Sequence, residues 1–182
     1  SIGQRDAFDV DPVVNPRFVF TPETGIATAG SCFAQHVARH LKKAGMRYME
    51  FETAHPLMEK SVIENFNYDI FPARYGNIYT ARQLVQMFKR AYGRFVPQED
   101  IWPSEDGRFF RDPFRPQIQP NGFTSREEFQ IDREKHFAAL RKMFAEIDVF
   151  IFTLGLTEAW EDSRDGTVFP LCPGVAGGTF DP

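Results

Sequence analysis

The nine residues Ile26-Ala27-Thr28-Ala29-Gly30-Ser31-Cys32-Phe33-Ala34 constrain the fold more than any other stretch of the chain. They read as a short strand, a glycine, a serine and the first turn of a helix. Such a turn belongs to an α/β sheet. It lifts the serine hydroxyl to the end of the sheet and sets it at a helix N-terminus, where backbone N–H groups can hold a developing oxyanion. The same position is also one that serine fills well as a plain helix N-cap. Spacing alone leaves both roles open.

The residues around this turn extend the α/β pattern. A helix is expected over 32–44, with Phe33, Val37, Leu41 and Ala44 on one face, stopped by Gly45. Residues 47–51 read as a second strand, so strand, helix and strand form a parallel βαβ unit. Residues 1–25, with Pro12, Pro16 and Pro22, read as an extended lead-in with a short strand over 17–20. Residues 52–79 read as irregular and aromatic-rich. Thr80 and Gln83 form a capping box for a helix carrying Leu84, Val85, Phe88 and Ala91, closed by Gly93. Five prolines break residues 94–124 into a long loop, which is either a substrate wall or an ordered surface meander. Ser125 and Glu128 make a second capping box, for a helix over 126–146 that buries Phe129, Phe137, Leu140, Phe144 and Ile147. Residues 148–154 follow as an apolar run, expected to be a central parallel strand covered on both faces. The segment 165–182 reads as loop. Its last residues finish no element, so the chain is expected to be the N-terminal part of a longer single domain.

Composition excludes several classes. A length of 182 residues suits one domain with a sizeable core. Net charge is −4 and no Lys/Arg block stands out, so no nucleic-acid partner is expected. No apolar run approaches the roughly 20 residues of a membrane helix. The two cysteines, Cys32 and Cys172, make no disulfide framework, and a reducing cytoplasm is the expected compartment. No cofactor motif is present, and no cofactor is expected.

Several residues can carry chemistry. Cys32 rivals Ser31 as nucleophile, because a helix N-terminus favours a thiolate; its structural alternative is a small buried hydrophobe. His36 and His40 share a helix face but lack a third metal ligand, so a solvated face is expected and no metal. His136, beside Glu134 and Lys135, is expected to be exposed. Gly76 and Asn77 offer oxyanion donors or an ordinary turn. Gly155, Thr157 and Glu158 end the last strand. If that strand neighbours the first, they approach Ser31, since open α/β sheets bind ligands beyond the carboxyl ends of their strands. Glu158 is then a candidate catalytic carboxylate, which Trp160 is expected to shield from water, or one half of a salt bridge.

The block Gly30-Ser31-Cys32-Phe33-Ala34 resembles the signature of the GSCFA family. Three further blocks, 75–80, 112–116 and 153–160, extend the resemblance over most of the chain. The family looks like a branch of the SGNH (GDSL-like) hydrolases, flavodoxin-like α/β proteins that include carbohydrate esterases and O-acetyltransferases. The resemblance implies a three-layer, mostly parallel sheet. It implies a catalytic Ser31, with Cys32, Gly76, Asn77, Gly155 and Thr157 as oxyanion or substrate-binding groups. The substrate would be a small-molecule or carbohydrate ester. Thr157 stands where the superfamily has an asparagine, Ala29-Gly30 replaces its Gly-Asp, and its Asp-x-x-His motif does not occur in these residues. The alternative is a non-catalytic glycan- or metabolite-binding α/β domain.

Overall fold

The computed structural model describes residues 15–180. The first fourteen residues of the expected lead-in lie outside that range. The chain mixes helices with small sheets. In order it forms β1 (Ile26–Ala29), α1 (Cys32–Lys43), α2 (Lys60–Asn65), α3 (Ala81–Ala91), β2 (Trp102–Pro103), β3 (Phe110–Arg111), α4 (Arg126–Glu146), β4 (Val149–Phe152), β5 (Trp160–Glu161) and β6 (Val168–Phe169).

The centre is a parallel pair, β1 beside β4, in register from Ile26 opposite Val149 to Ala29 opposite Phe152. Parallel strands need a crossover, and here it contains helices α1 to α4. Gly25 ties the start of the pair: its N–H donates to Asp148 Oδ2 at 2.7 Å, and its carbonyl accepts from Asp148 N and Val149 N. Thr153 N, donating to the Ala29 carbonyl, ties the end.

Strand β1 is fully buried, whereas β4 is only half-buried along its length. The apolar run was expected to be the central strand, and the centre is instead the small-residue strand Ile-Ala-Thr-Ala. On its other side β1 meets only an isolated parallel bridge from Ile26 to Tyr48, so residues 47–51 form no second strand. Residues 17–20 likewise form no strand and are exposed. The two remaining ladders, β2 with β3 and β5 with β6, are antiparallel and two residues long.

Helix α1 also differs from its apolar pattern. It buries Ala34 and Ala38, while Phe33 is exposed and Ala44 lies at its exposed end. Only small side chains fit where the helix lies closest to the core, so the larger apolar residues flank that contact. Helix α3 starts with the predicted capping box: Gln83 N donates to Thr80 Oγ1, and Thr80 N donates to Gln83 Oε1. Its buried face is offset toward polar residues, namely Gln83, Gln86 and Arg90 with Met87 and Ala91, and Val85 is exposed. Helix α4 buries Phe129, Leu140 and Met143. Ser125 caps it by accepting from Glu128 N, but Glu128 reaches past the cap to Thr124 N and Thr124 Oγ1. The segment 94–124 is ordered: Trp102 is fully buried, and Ile118, Phe123 and Phe129 make a second, smaller core.

Candidate active site at the Ser31 turn

Gly30 delivers the chain from β1 into the serine turn. Its φ is +147°, and an added Cβ would lie 2.0 Å from Thr153 Oγ1 and 2.8 Å from the Thr153 carbonyl. Only glycine fits here. Ser31 follows in extended conformation (φ −86°, ψ −165°) as the N-cap of α1. Its hydroxyl accepts from Phe33 N at 3.4 Å, longer than the usual range for such bonds, so the cap is weak. The N–H groups of Ser31 and Cys32 have no protein partner among the described residues. They are the unpaired donors that a helix start presents.

Three segments far apart in sequence converge on this turn through backbone hydrogen bonds. The Gly30 carbonyl accepts from Ile78 N at 2.9 Å. The Tyr79 carbonyl in turn accepts from Gly155 N at 3.2 Å and Leu156 N at 3.0 Å. A side chain on Gly155 would begin 3.9 Å from Ser31 Cβ. Ser31, the 76–79 segment and Gly155 are therefore neighbours at the carboxyl end of the parallel pair. Tyr75 supports the segment from below, its buried hydroxyl donating to the Thr28 carbonyl.

Asn77 lies within this junction. Its Nδ2 donates to Tyr79 Oη at 3.2 Å, while its Oδ1 is buried without a partner. The Tyr79 hydroxyl can donate or accept, so the amide turned over keeps this bond and presents Nδ2 instead. Gly76 takes φ +69°, a left-handed conformation that sets the Asn77 turn. Thr157 and Glu158 follow Gly155 on the exposed segment after β4. The shielding expected of Trp160 is absent: Trp160 is 43% exposed and packs edge-on to Phe180. Cys32 is an exposed free thiol, not a buried hydrophobe. His36 and His40 are exposed. Among the described residues no cluster of His, Cys, Asp or Glu is arranged to hold a metal.

Behind Asn77 lies a buried charged cluster that the sequence reading missed. His136, expected to be exposed, is 2% exposed, and its Nδ1 lies 2.7 Å from Glu52 Oε2. Burial, together with the nearby Arg115 guanidinium, pushes His136 below the usual imidazole range. It is therefore neutral and donates Nδ1–H to an ionised Glu52. Burial raises the Glu52 carboxyl, but the His136 hydrogen bond and the Arg115 charge outweigh it and hold it below the usual carboxylate range. Arg115 Nε donates to Asp112 Oδ2 and its Nη2 to Asp132 Oδ2, both at 2.8 Å. Arg74 bridges Asp132 and the carbonyls of Phe66 and Ile118. Burial pushes Arg90 down to about 10, still charged at neutral pH, and it stacks 3.5 Å over the Phe114 ring. Two signals in the sequence point here. One is the 112–116 block, whose Asp and Arg are three apart. The other is the polar stripe of Gln83, Gln86 and Arg90 on α3.

The site is thus a serine at a strand-to-helix turn of an α/β chain, beside unpaired N–H groups and an asparagine. The model of the GSCFA family matches residues 25–181, and the chain belongs to that family. No curated protein and no solved structure gives a significant match.

Proposed function

We propose that this chain carries the nucleophile centre of an SGNH-like serine esterase or O-acyltransferase. The supporting observation is the convergence of Ser31, the Asn77 segment and Gly155 through the Gly30 and Tyr79 carbonyls. The parallel β1·β4 pair and the Tyr48 bridge support a flavodoxin-like, three-layer arrangement around it. Ser31 Oγ attacks the acyl carbonyl, and its proton goes to Glu158, three residues beyond Gly155. The N–H groups of Ser31 and Cys32, with the Asn77 amide, hold the tetrahedral oxyanion. The ester C–O bond then breaks, and the alcohol leaves with the proton. Water or an acceptor hydroxyl attacks the acyl-serine, giving hydrolysis or transfer.

Aryl acetate turnover tests this. Ser31→Ala is expected to lower kcat/KM by about 10³-fold or more, and Asn77→Ala by roughly 10²-fold. Cys32→Ala is expected to retain activity. Loss in Cys32→Ala with retention in Ser31→Ala would move the nucleophile to the thiol.

One observation favours a second reading, a non-catalytic glycan- or metabolite-binding domain. Among the described residues, the only hydrogen bond to Ser31 Oγ comes from Phe33 N, and no imidazole or carboxylate touches it. Saturable ligand binding at this junction, with no turnover of any O-acyl ester, would support that reading.

A further inference from the structure

Three buried polar side chains line one cavity of about 30 Å³, and each keeps a nitrogen without a hydrogen-bond partner among the described residues. Arg90, on α3, is 8% exposed, yet its guanidinium makes no hydrogen bond or ion pair there. One face of it lies 3.5 Å over the Phe114 ring, which leaves its N–H edges to the cavity. Gln83 stands two turns earlier on the same helix. Its Oε1 accepts from Tyr79 N and Thr80 N, which fixes the amide and leaves Nε2 unbonded. His136, on α4, engages Glu52 through Nδ1 and leaves Nε2 unbonded. Arg115 Nη1 and Asn77 Oδ1 are sealed from water, whereas these nitrogens stay open to it. Buried donors left without an acceptor are costly, so they point to an occupant.

Size and charge select that occupant. One water needs roughly 10–15 Å³, so the cavity admits two waters or one monatomic ion, and it is too small for a sulfate. No carboxylate lines it. Those of Glu52, Asp112 and Asp132 balance Arg74, Arg90 and Arg115 from outside the lining. A guanidinium edge and a fixed amide N–H between the rings of Phe114 and Phe137 suit an anion. The charged groups around His136 are Glu52, Asp112 and Arg115, with Arg90 across the cavity; the Tyr75 hydroxyl is taken by the Thr28 carbonyl. These groups, with Arg74 and Asp132, already sum to zero while His136 is neutral. An anion entering alone would leave a buried net negative charge. A proton on His136 Nε2 removes that cost, because it restores neutrality and turns a repelling lone pair into a third donor.

We propose that this cavity is a proton-coupled chloride site, in which Arg90, Gln83 Nε2 and His136 Nε2–H hold the ion and each chloride enters with one proton. The site is separate from the Ser31 turn and does not rest on the ester reading.

Line broadening of the chloride NMR signal at constant ionic strength tests this on the intact chain. The broadening is expected to saturate. The affinity is expected to rise by up to about tenfold for each unit that pH falls between 8 and 6, the slope of one proton taken up per ion. Sulfate is expected not to displace the ion. Arg90→Met removes the unpaired guanidinium and is expected to weaken binding by about 10-fold or more. His136→Asn keeps a donor for Glu52 and is expected to bind with an affinity that no longer varies with pH. If Arg90→Met fails to fold, the contrast in slope between the unsubstituted protein and His136→Asn decides. No saturable broadening, an affinity level with pH in the unsubstituted protein, equal binding by Arg90→Met, an unchanged slope in His136→Asn or displacement by sulfate would each overturn the proposal. The first of these outcomes assigns the cavity to ordered water instead.

Discussion

Replacing Gly30 with alanine probes the junction that positions Ser31. At φ +147° the backbone lies in a region nearly restricted to glycine, costing about 1–3 kcal/mol for any other residue. The new Cβ meets three atoms of Thr153, the hydroxyl, the carbonyl and, at 3.1 Å, its Cβ. The hydroxyl at 2.0 Å has no hydrogen-bond partner and can rotate away. The carbonyl at 2.8 Å belongs to the backbone following β4 and cannot move without shifting that segment. Such displacement adds about 1–3 kcal/mol, so the total is roughly 2–6 kcal/mol, a large share of the 5–15 kcal/mol that holds a typical domain. Urea denaturation of Gly30→Ala and Gly93→Ala measures this. Gly93 also has positive φ (+66°) but open space around its Cβ, so only the left-handed cost of about 1–2 kcal/mol applies. Adding Thr153→Ala is expected to recover little, because the carbonyl contact remains. Equal midpoints for Gly30→Ala and Gly93→Ala would refute the steric argument.

Further outcomes follow from the capping and charge networks. Thr80→Ala is expected to cost about 1 kcal/mol in denaturation, because Gln83 N loses its acceptor. Arg74→Ala is expected to cost about 3–5 kcal/mol, since it leaves Asp132 and Glu52 with fewer buried partners. His136 binds its proton more weakly folded than unfolded, so stability is present above the ordinary imidazole value near 6.5 and is lost as pH falls below it. His136→Asn, which keeps a donor for Glu52, is expected to remove that contribution, up to about 1.4 kcal/mol per pH unit. A slope unchanged between pH 5 and 6.5 would show that His136 is not its source.

The Ser31 turn was legible because local rules and tertiary structure agree there. A short strand, a glycine and a capping serine leave few alternatives, and β1 has its predicted bounds. The Thr80 capping box was legible for the same reason. The depth of β1 was hidden, because Ala27 and Ala29 give a weak hydropathy signal yet lie at the centre. The phenylalanine-rich β4 gave the stronger signal but lies half-exposed. His136 was misread because its sequence neighbours, Glu134 and Lys135, are exposed, whereas its helix face is set by Phe129, Leu140 and Met143. Its partner Glu52 is 84 residues away, and no periodicity reveals such a pair.

Ser31 is proposed to act as a nucleophile rather than only as a helix cap. Labelling with a fluorophosphonate, followed by peptide mass spectrometry, tests it most directly. One adduct is expected, on the peptide containing Ser31, absent from Ser31→Ala and retained in Cys32→Ala. Labelling that persists unchanged in Ser31→Ala would contradict the claim.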